Sequence, residues 1–416
     1  MISKIKYEYL LLIIAFSWLI IFSFAIQLTP GFSILGDDYS YLYSSKLLYF
    51  EYRLDNTRPL LVSAIYGFPF LFGFSEEVAI NWGLSLNFLS WFLTILLIFK
   101  IIASNYNRKV AFYIALVFIF CIGNLVFTFR FVPETLFICL IVSSIYFLNK
   151  FFKSKETKFV IIAMFILLLN TSIKPVSIGL FLILFLFFIP KAKDIIFNKF
   201  APLLVIGFGL IFFQMYSLKK EYGNFTLSYI SAITYYNYLG AKADCYKKNI
   251  DYLPGITERT KTFNKLSSSE MKSVSQEDLI NQLKENKLNL FKAYLFCIYS
   301  NSTKGNYIVS ESVNTKKTFY FSTFQFLFKA ISKLQNIFFT FIGVLLSLRI
   351  ILNYKNSNKF HIIISLFLLY IFFISAISCY ECDRFHIAFF PIVMMLLLDF
   401  LNKNNRTKRF FVPLQK

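Results

Sequence analysis

The sequence predicts an all-α polytopic membrane protein with about ten transmembrane helices. Of its 416 residues, 57% are hydrophobic and only 16% are charged, whereas a soluble domain is about half apolar and about a quarter charged. The apolar residues come in runs of about 20, which is the length that a helix needs to cross a bilayer. Helices are required in these runs because lipid offers no partner to the open edge of a sheet.

Ten apolar runs are the predicted spans, and most are separated by short segments rich in Lys and Arg. The runs cover residues 8–27, 79–100, 110–129, 132–149, 158–172, 175–190, 200–217, 334–352, 360–378 and 386–402. Positive residues between spans favour the cytoplasm, and this places both termini inside. The first run is too long for a signal peptide and lacks a small-residue cleavage site, so we expect a retained helix.

Two longer connections are then external. The first, residues 28–78, contains apolar segments at 39–50 and 60–74, which we expect to lie as helices in the membrane interface. The second, residues 218–318, is a large loop between an N-terminal transmembrane module, residues 1–217, and a C-terminal one, residues 319–416.

The large loop is expected to be mostly helical. Apolar residues at helical spacing predict an amphipathic helix over 276–299, after a polar stretch over 261–275 that we expect to be loop. Residues 318–333, with spaced lysines among aromatic residues, predict a further interfacial helix.

The formal net charge of +21 does not indicate a nucleic-acid partner. The basic residues mostly occupy the short segments between apolar runs, where the positive-inside rule explains them. The 55 Phe and 26 Tyr suit lipid-facing and interfacial surfaces. Membrane lipids are the expected partners of these side chains.

Acidic and basic residues gather at the external ends of the predicted spans. They are Asp37, Asp38, Arg53, Arg58, Arg130, Glu134, Lys174, Asp383, Arg384 and His386. The centres of the spans are almost uniformly apolar, whereas a transporter carries ionisable groups at mid-membrane depth. A site on the external face is therefore favoured over a transport pathway.

The acidic pair Asp37 and Asp38 follows the first span, where the chain meets the outer headgroups. A carboxylate there can take a proton from an acceptor hydroxyl, or hold a divalent cation beside a phosphate. The alternative is that Asp38 caps a helix starting at Tyr39. Catalysis by one member of the pair is the favoured interpretation, and whether the pair holds a metal is open.

Glu134 opens the fourth predicted span directly after Pro133, which suits the first turn of a helix. Its carboxylate either complements the helix dipole or orients Arg130, a ligand cation or an acceptor sugar. Both interpretations remain open.

Lys174 and Arg384 lie in two other external turns. Arginine binds phosphate through a bidentate fork and lysine as a point charge. The alternative is that both side chains extend to lipid headgroups. Because the two cations lie beside acids, a phosphate site is favoured.

Four cysteines fall outside the membrane, where thiols oxidise. They are Cys245, Cys297, Cys379 and Cys382. One or two disulfides are expected, and a bridge from Cys245 to Cys297 would close the large loop. A CxxC motif with a single His lacks a complete set of zinc ligands.

The order of these motifs resembles that of the GT-C class of polyprenyl-phosphate-sugar-dependent glycosyltransferases, which includes the protein O-mannosyltransferase and aminoarabinose transferase families. The motifs are Gly36-Asp37-Asp38-Tyr39, Arg58-Pro59, Pro133-Glu134, Lys174-Pro175 and Asp383-Arg384-Phe385 with Pro391 beyond it. The long loop resembles the variable external loop of the branch that modifies bacterial O-antigen, and it leaves the acceptor open.

The resemblance implies that Asp37 or Asp38 is the general base toward the acceptor hydroxyl. Arg58, Lys174 and Arg384 would stabilise the negative charge that develops on the departing phosphate. Glu134 is implied as a third catalytic residue that orients the acceptor or a cation. Secondary candidates are Arg130, Asp383 and His386.

The implied reaction moves one sugar from an undecaprenyl-type monophosphate donor to a glycan, lipid or protein acceptor of the cell envelope, such as lipopolysaccharide O-antigen, with inversion. No cofactor is implied, although a divalent cation is compatible with the acidic pair. The implied location is a bacterial inner membrane, with the site facing the periplasm. The alternatives are an O-antigen polymerase or ligase acting on lipid-diphosphate-linked glycans, and a flippase for lipid-linked sugars.

Overall fold

The computed structural model describes residues 6–28, 36–253, 257–311 and 319–404. Within these ranges the regular structure consists of α-helices, short 3-10 helices and one π-helical turn, without any strand. The prediction of an all-α polytopic membrane protein is confirmed.

Eleven α-helices precede the large loop. They are α1 (Tyr7–Ile26), α2 (Asp37–Phe50), α3 (Leu60–Tyr66), α4 (Glu76–Ala103), α5 (Arg108–Ile119), α6 (Ile122–Val126), α7 (Glu134–Ser154), α8 (Thr157–Thr171), α9 (Ser177–Phe188), α10 (Ala192–Ile196) and α11 (Pro202–Tyr222). In the bundle, α4 packs against α5 and α7, while α8 packs against α7, α9 and α11.

Nine α-helices follow. The large loop contains α12 (Ile230–Thr234), α13 (Ala241–Lys248), α14 (Glu258–Phe263), α15 (Ser268–Glu285), α16 (Lys287–Thr303) and α17 (Tyr307–Glu311), with the π-helical turn Tyr235–Gly240 between the first two. The last three helices are α18 (Phe319–Leu352), α19 (Lys359–Ile374) and α20 (Phe390–Asn404). They pack against one another, and α18 also contacts α1.

Seven helical segments of the described chain are long and apolar enough to cross a membrane. They are Tyr7–Ile26, Glu76–Ala103, Glu134–Ser154, Pro202–Tyr222, Tyr320–Leu352, Lys359–Ile377 and His386–Lys403. The pair Arg108–Ile119 and Ile122–Phe129, bent by 63°, counts as an eighth if it is one span. The other two predicted spans, 158–172 and 175–190, correspond to the shorter helices α8, with 15 residues, and α9, with 12 residues.

The predicted interfacial helices have different outcomes. Segment 39–50 lies in α2, and segment 60–74 forms α3 followed by the 3-10 helix Phe68–Phe72. Segment 318–333 is not a separate helix, because α18 runs without a break to Leu352. No Pro or Gly occurs in α18 before Gly343, so nothing in the sequence interrupts the helix.

The large loop also departs from its prediction. The stretch 261–275 is mostly helical, because Ser267 and Glu270 form a capping box that starts α15 at Ser268. The helix predicted over 276–299 is divided between α15 and α16 at Asn286.

A small second core joins the large loop to the turn between α19 and α20. It contains buried residues of α13 and α16, such as Ala243 and Ala293, packed with Ala376 and Cys379 of that turn. Asn301 of α16 also donates to the backbone carbonyl of Ser378 at 2.7 Å. The large loop therefore lies against the end of the bundle at which α19 ends and α20 begins.

Candidate active site

Five charged side chains from separate parts of the chain meet at this end of the bundle. They are Asp37 at the start of α2, Arg58 before α3, Glu134 at the start of α7, Lys174 after α8 and Arg384 between α19 and α20. We call these five residues the charged cluster. Each was a site candidate from the sequence, and continuous ion pairs link them.

Asp37 and Asp38 are neighbours in α2 with different partners. Asp37 accepts hydrogen bonds from Arg58 Nη2 at 2.5 Å and Arg384 Nη2 at 2.6 Å, and its side chain is 28% exposed. Asp38 is 0% exposed, and its Oδ2 accepts from Arg130 Nε at 2.9 Å. Successive helical residues point about 100° apart, so Asp37 faces Arg58 and Arg384, whereas Asp38 faces Arg130.

Asp38 does not cap a helix starting at Tyr39. Helix α2 begins two residues earlier, at Asp37, and its N-cap is Gly36. Gly36 has φ 110°, a conformation that suits glycine. Both carboxylates therefore lie in the first turn of α2, where the helix dipole favours negative charge.

Arg58 is fixed by its own loop and by α2. Asp55 Oδ1 accepts from the backbone N–H of Arg58 at 2.7 Å. The guanidinium donates through Nε to Ser40 Oγ at 2.8 Å, and it lies over the ring of Tyr41 at 4.4 Å from the centroid. These contacts hold the Arg58 side chain in one orientation toward Asp37.

Glu134 is the buried centre of the charged cluster, with 1% of its surface exposed. Its Oε1 accepts from Lys174 Nζ at 2.9 Å and Arg384 Nε at 2.5 Å. Its Oε2 is buried and has no hydrogen-bond partner among the described residues. Glu134 therefore keeps one acceptor oxygen that the described part of the chain does not satisfy.

Arg384 joins the two halves of the charged cluster. Besides Asp37 and Glu134, its Nη1 donates to Glu381 Oε2 at a longer distance of 3.4 Å. Glu381 was not a candidate from the sequence, although its position three residues before Arg384 in a short external turn is a usable signal. Burial raises the pKa of Tyr238 in the large loop to about 12, and the nearby carboxylates of Glu381 and Asp37 add to this shift.

Opposite charges act on the pKa values of the charged cluster. Burial alone would raise the pKa of Asp37, but the attraction of Arg384 and Arg58 holds it well below its usual range. Burial lowers the pKa of Lys174, although the charge of Glu134 opposes this effect. Asp37 is therefore ionised at neutral pH in this arrangement.

The secondary candidates lie in three different environments. Arg130 pairs with Asp38, the neighbour of Asp37 in α2. Asp383 is buried away from the cluster cations, where its Oδ1 accepts from Asn306 Nδ2 at 2.9 Å. His386 is buried, with one ring nitrogen 3.0 Å from Thr340 Oγ1 and the other 3.1 Å from Ser375 Oγ. The last two support the packing of the turn rather than the charged cluster.

The described residues contain no group of three or more His, Cys, Asp or Glu side chains that could hold a metal ion. In addition, the carboxylates of Asp37 and Asp38 face arginines that already balance their charge. This donor set does not fit a divalent cation in the arrangement described.

One disulfide joins the large loop to the turn before α20. It links Cys297 of α16 to Cys379, 82 residues apart in sequence. The pairing of Cys297 with Cys245 that the sequence favoured is not formed, and Cys245 is a buried thiol. The difference arises because α16 packs against the end of α19 and places Cys297 beside Cys379.

Comparison with known proteins gives one family match, which covers part of the chain. Residues 57–217 match the family described as dolichyl-phosphate-mannose-protein mannosyltransferase. The predicted GT-C resemblance is confirmed. The matched range 57–217 contains Arg58, Glu134 and Lys174, whereas Asp37 and Arg384 lie outside it. No curated protein and no solved structure matches the chain.

The match supports a glycosyltransferase that uses a sugar linked to a polyprenyl phosphate. The long apolar helices agree with this assignment, because such a donor lies in the membrane with its phosphate at headgroup depth. Ion pairs connect Arg58 and Glu134 of the matched range to Asp37 and Arg384 outside it. The candidate site therefore includes residues from the N-terminal and the C-terminal parts of the described chain.

Proposed function

We propose that this protein is an inverting GT-C glycosyltransferase that moves one sugar from a polyprenyl monophosphate donor to a cell-envelope acceptor. The observation that carries this proposal is the buried cluster of three cations and two acids at one end of an apolar bundle. Burying so many charges costs stability, so their presence at one end of the bundle supports a functional role.

Arg58, Lys174 and Arg384 are the proposed ligands of the donor phosphate. Transfer breaks the bond between the anomeric carbon and a phosphate oxygen, so negative charge develops on the phosphate. Cations already fixed around that position stabilise the transition state more than the ground state. Arg58 is fixed by Asp55 and Ser40, and Arg384 by its carboxylate partners.

Asp37 is the proposed general base. It is the partly exposed member of the acidic pair and lies between two proposed phosphate ligands. Fully buried Asp38 is proposed to position Arg130 and the start of α2. A carboxylate held by two arginines is a weak base, but a phosphate that engages those arginines would raise its basicity.

Glu134 is proposed to position the cations and a substrate hydroxyl. Its Oε1 holds Lys174 and Arg384, while its buried Oε2 has no hydrogen-bond partner among the described residues. A sugar hydroxyl that donates to Oε2 would satisfy this oxygen. The sugar ring would then be oriented by the same residue that orders the phosphate ligands.

The acceptor is proposed to reach the charged cluster beside the large loop, which packs on the turn that carries Arg384. With positive residues placed inside, this end of the bundle faces the periplasm of a bacterial inner membrane. A lipid-linked donor suits that side, because it needs no soluble nucleotide sugar. Undecaprenyl phosphate as carrier and an O-antigen-type glycan as acceptor are parts of this proposal.

The test is sugar transfer by the purified protein in detergent, with synthetic polyprenyl-phosphate hexoses and an envelope glycan extract. Asp37→Asn should lower kcat by at least about 10²-fold, the usual scale of removing a general base. Asp38→Asn should have a smaller effect. Asp251→Asn, at an exposed loop position, is the matched control.

Full activity in both single variants and in the double variant would contradict the base assignment. Absence of transfer by the wild type, together with movement of lipid-linked sugars across liposome membranes, would instead place the protein among flippases.

A further inference from the structure

Arg384 contacts three carboxylates, and they are held with unequal strength. Asp37 also binds Arg58, and Glu134 also binds Lys174, with all four contacts between 2.5 and 2.9 Å. Glu381 contacts Arg384 at 3.4 Å, and its other polar partner is Ser378 Oγ at 3.3 Å. Glu381 is therefore the most weakly held acid around Arg384.

With Glu381 included, the charges around Arg384 balance. Three cations, Arg58, Lys174 and Arg384, face three carboxylates, those of Asp37, Glu134 and Glu381. An anionic phosphate entering this buried region would leave one negative charge uncompensated. Uncompensated buried charge is strongly unfavourable, so entry of the phosphate favours the departure of an acid.

We infer that Glu381 is an exchangeable carboxylate, which occupies Arg384 Nη1 in the resting protein and yields it to the donor phosphate. This inference rests on the proposed function. With its side chain 20% exposed, Glu381 can turn toward solvent, whereas Glu134 is only 1% exposed. Of the three acids, it is the one whose departure breaks the fewest close contacts.

The exchange needs only a movement of the side chain. The backbone of the turn is anchored on one side by the disulfide from Cys379 to Cys297. On the other side, Asp383 accepts from Asn306 at 2.9 Å. Glu381 lies between these two anchors, so its carboxylate can leave Arg384 while the arginine stays in place.

The charge balance then holds through the whole transfer. In the donor complex, a phosphodiester with one negative charge replaces Glu381. During transfer the acceptor oxygen bonds to the anomeric carbon, its proton passes to Asp37, and the bond from that carbon to the phosphate oxygen breaks with its electron pair. The phosphate gains one negative charge as Asp37 loses one, so the three cations still face three negative charges.

The return of Glu381 then assists product release. After transfer, the polyprenyl monophosphate competes with this carboxylate for Arg384. Once Asp37 has given its proton to water, the re-entering carboxylate makes the bound phosphate the excess anion. Glu381 thus weakens the binding of donor and product while favouring turnover.

The experiment compares Glu381→Gln with the wild type, using the full-length protein in detergent. Farnesyl phosphate is the binding probe, and a polyprenyl-phosphate hexose is the substrate for kinetics. Glu381→Gln removes the competing charge, so the Kd for farnesyl phosphate and the KM for the donor should both fall by roughly three- to tenfold. Slower product release should lower kcat.

Glu51→Gln is the matched control, because Glu51 also contacts an arginine, Arg53, at 3.4 Å, but outside the charged cluster. It should leave Kd, KM and kcat unchanged. Glu381→Asp keeps the charge and should bind farnesyl phosphate within about twofold of the wild type. If Glu381→Gln folds poorly, Glu381→Asp shows how far a change in the packing of the turn, without a change in charge, affects binding.

Equal or weaker phosphate binding by Glu381→Gln, with a wild type that binds and transfers, would overturn the exchange and leave the proposed function standing. A Glu381→Asp variant that binds as tightly as a well-folded Glu381→Gln would also overturn it. A wild type that neither binds farnesyl phosphate nor transfers sugar would overturn both proposals.

Discussion

The two ends of the helical bundle are built differently, although α7, α19 and α20 contribute to both. At one end Glu134 opens α7, and Arg384 lies between α19 and α20, within the charged cluster. At the other end the same helices line an open cavity of about 260 Å³. Its polar residues are Asn105, Tyr106, Asn149, Lys153, Asn358, His361, Asp399 and Asn402.

The cavity end uses mainly neutral amides. Asn105 Nδ2 donates to Asn149 Oδ1 at 3.0 Å, and Asn149 Nδ2 donates to Ser104 Oγ at 2.8 Å. The contact between His361 and Asp399 is 3.4 Å long. This end shows that helix termini of the bundle can be joined without a web of buried ion pairs. The charges at the other end therefore point to chemistry rather than to helix packing.

Among single substitutions, Arg384→Ala should lower transfer activity the most. It removes a phosphate ligand and leaves Asp37 and Glu134 without one of their cations, so kcat/KM for transfer should fall by about 10³-fold or more. Loss of one partner from a buried ion pair costs about 3–5 kcal/mol, so a thermal melt must accompany the assay. Arg384→Lys keeps the charge but loses the fork, and should recover folding more than activity.

Activity close to the wild type in a folded Arg384→Ala variant would remove the functional distinction between the two ends.

Glu134→Gln should have the next largest effect. The amide cannot balance Lys174 and Arg384, so both cations should lose their fixed positions, and kcat should fall by about 10- to 100-fold. Asn149→Ala, in the same helix at the cavity end, is the control. A larger loss of transfer in Asn149→Ala than in Glu134→Gln would reverse the proposed roles of the two ends.

Asp383→Asn probes a buried carboxyl that lies at the site end but outside the charged cluster. Burial raises the pKa of Asp383 from 3.8 to about 7. Because the folded state binds this proton more tightly than the unfolded state, wild-type stability should fall as pH rises from about 4 to 7 and then level off. The asparagine carries no charge, so this pH dependence should disappear.

The measurement is the melting temperature of both proteins between pH 4 and 8. Above pH 7 the variant should melt several degrees higher than the wild type, and at low pH the two should converge. Parallel curves would show that Asp383 is ionised or exposed across this range. Gly123→Ala can be measured in the same way, because a Cβ added at Gly123 would clash with Asp383 Oδ2.

Local patterns in the sequence predict the helices and the candidate residues. Each of the ten apolar runs coincides with helix in the structure, the run 110–129 with the bent pair α5 and α6, and the charged residues beside the helix ends include Asp37, Glu134 and Arg384. The pairing of these residues depends on how distant helices pack, which no single stretch of sequence contains. The sequence does not distinguish Asp37 from Asp38 as candidates. In the structure, their positions in α2 direct them toward different arginines.

The errors have physical causes of the same kind. The capping box of Ser267 and Glu270 is a local signal for the start of a helix. The polar composition of residues 261–275 nevertheless led to the prediction of a loop there. The disulfide partner of Cys297 depends instead on the packing of α16 against the turn before α20, which spacing along the chain cannot indicate. Glu381 likewise enters the proposed site only through its approach to Arg384, which lies 3.4 Å away.

The smallest effect is expected at the cavity end. His361→Ala and Asp399→Asn remove a contact of 3.4 Å between α19 and α20 that has no connection to the charged cluster. Asp399 also contacts Lys403 at 2.8 Å, and the Lys403 side chain is 56% exposed, so the loss of this ion pair in Asp399→Asn should cost about 1 kcal/mol or less. Because this contact lies away from the charged cluster, transfer kinetics should stay within about twofold of the wild type. That change corresponds to less than 1 kcal/mol in the barrier. A loss of transfer comparable to that of Glu134→Gln would mean that the cavity end takes part in turnover, and the contrast between the two ends would then describe two steps of one cycle.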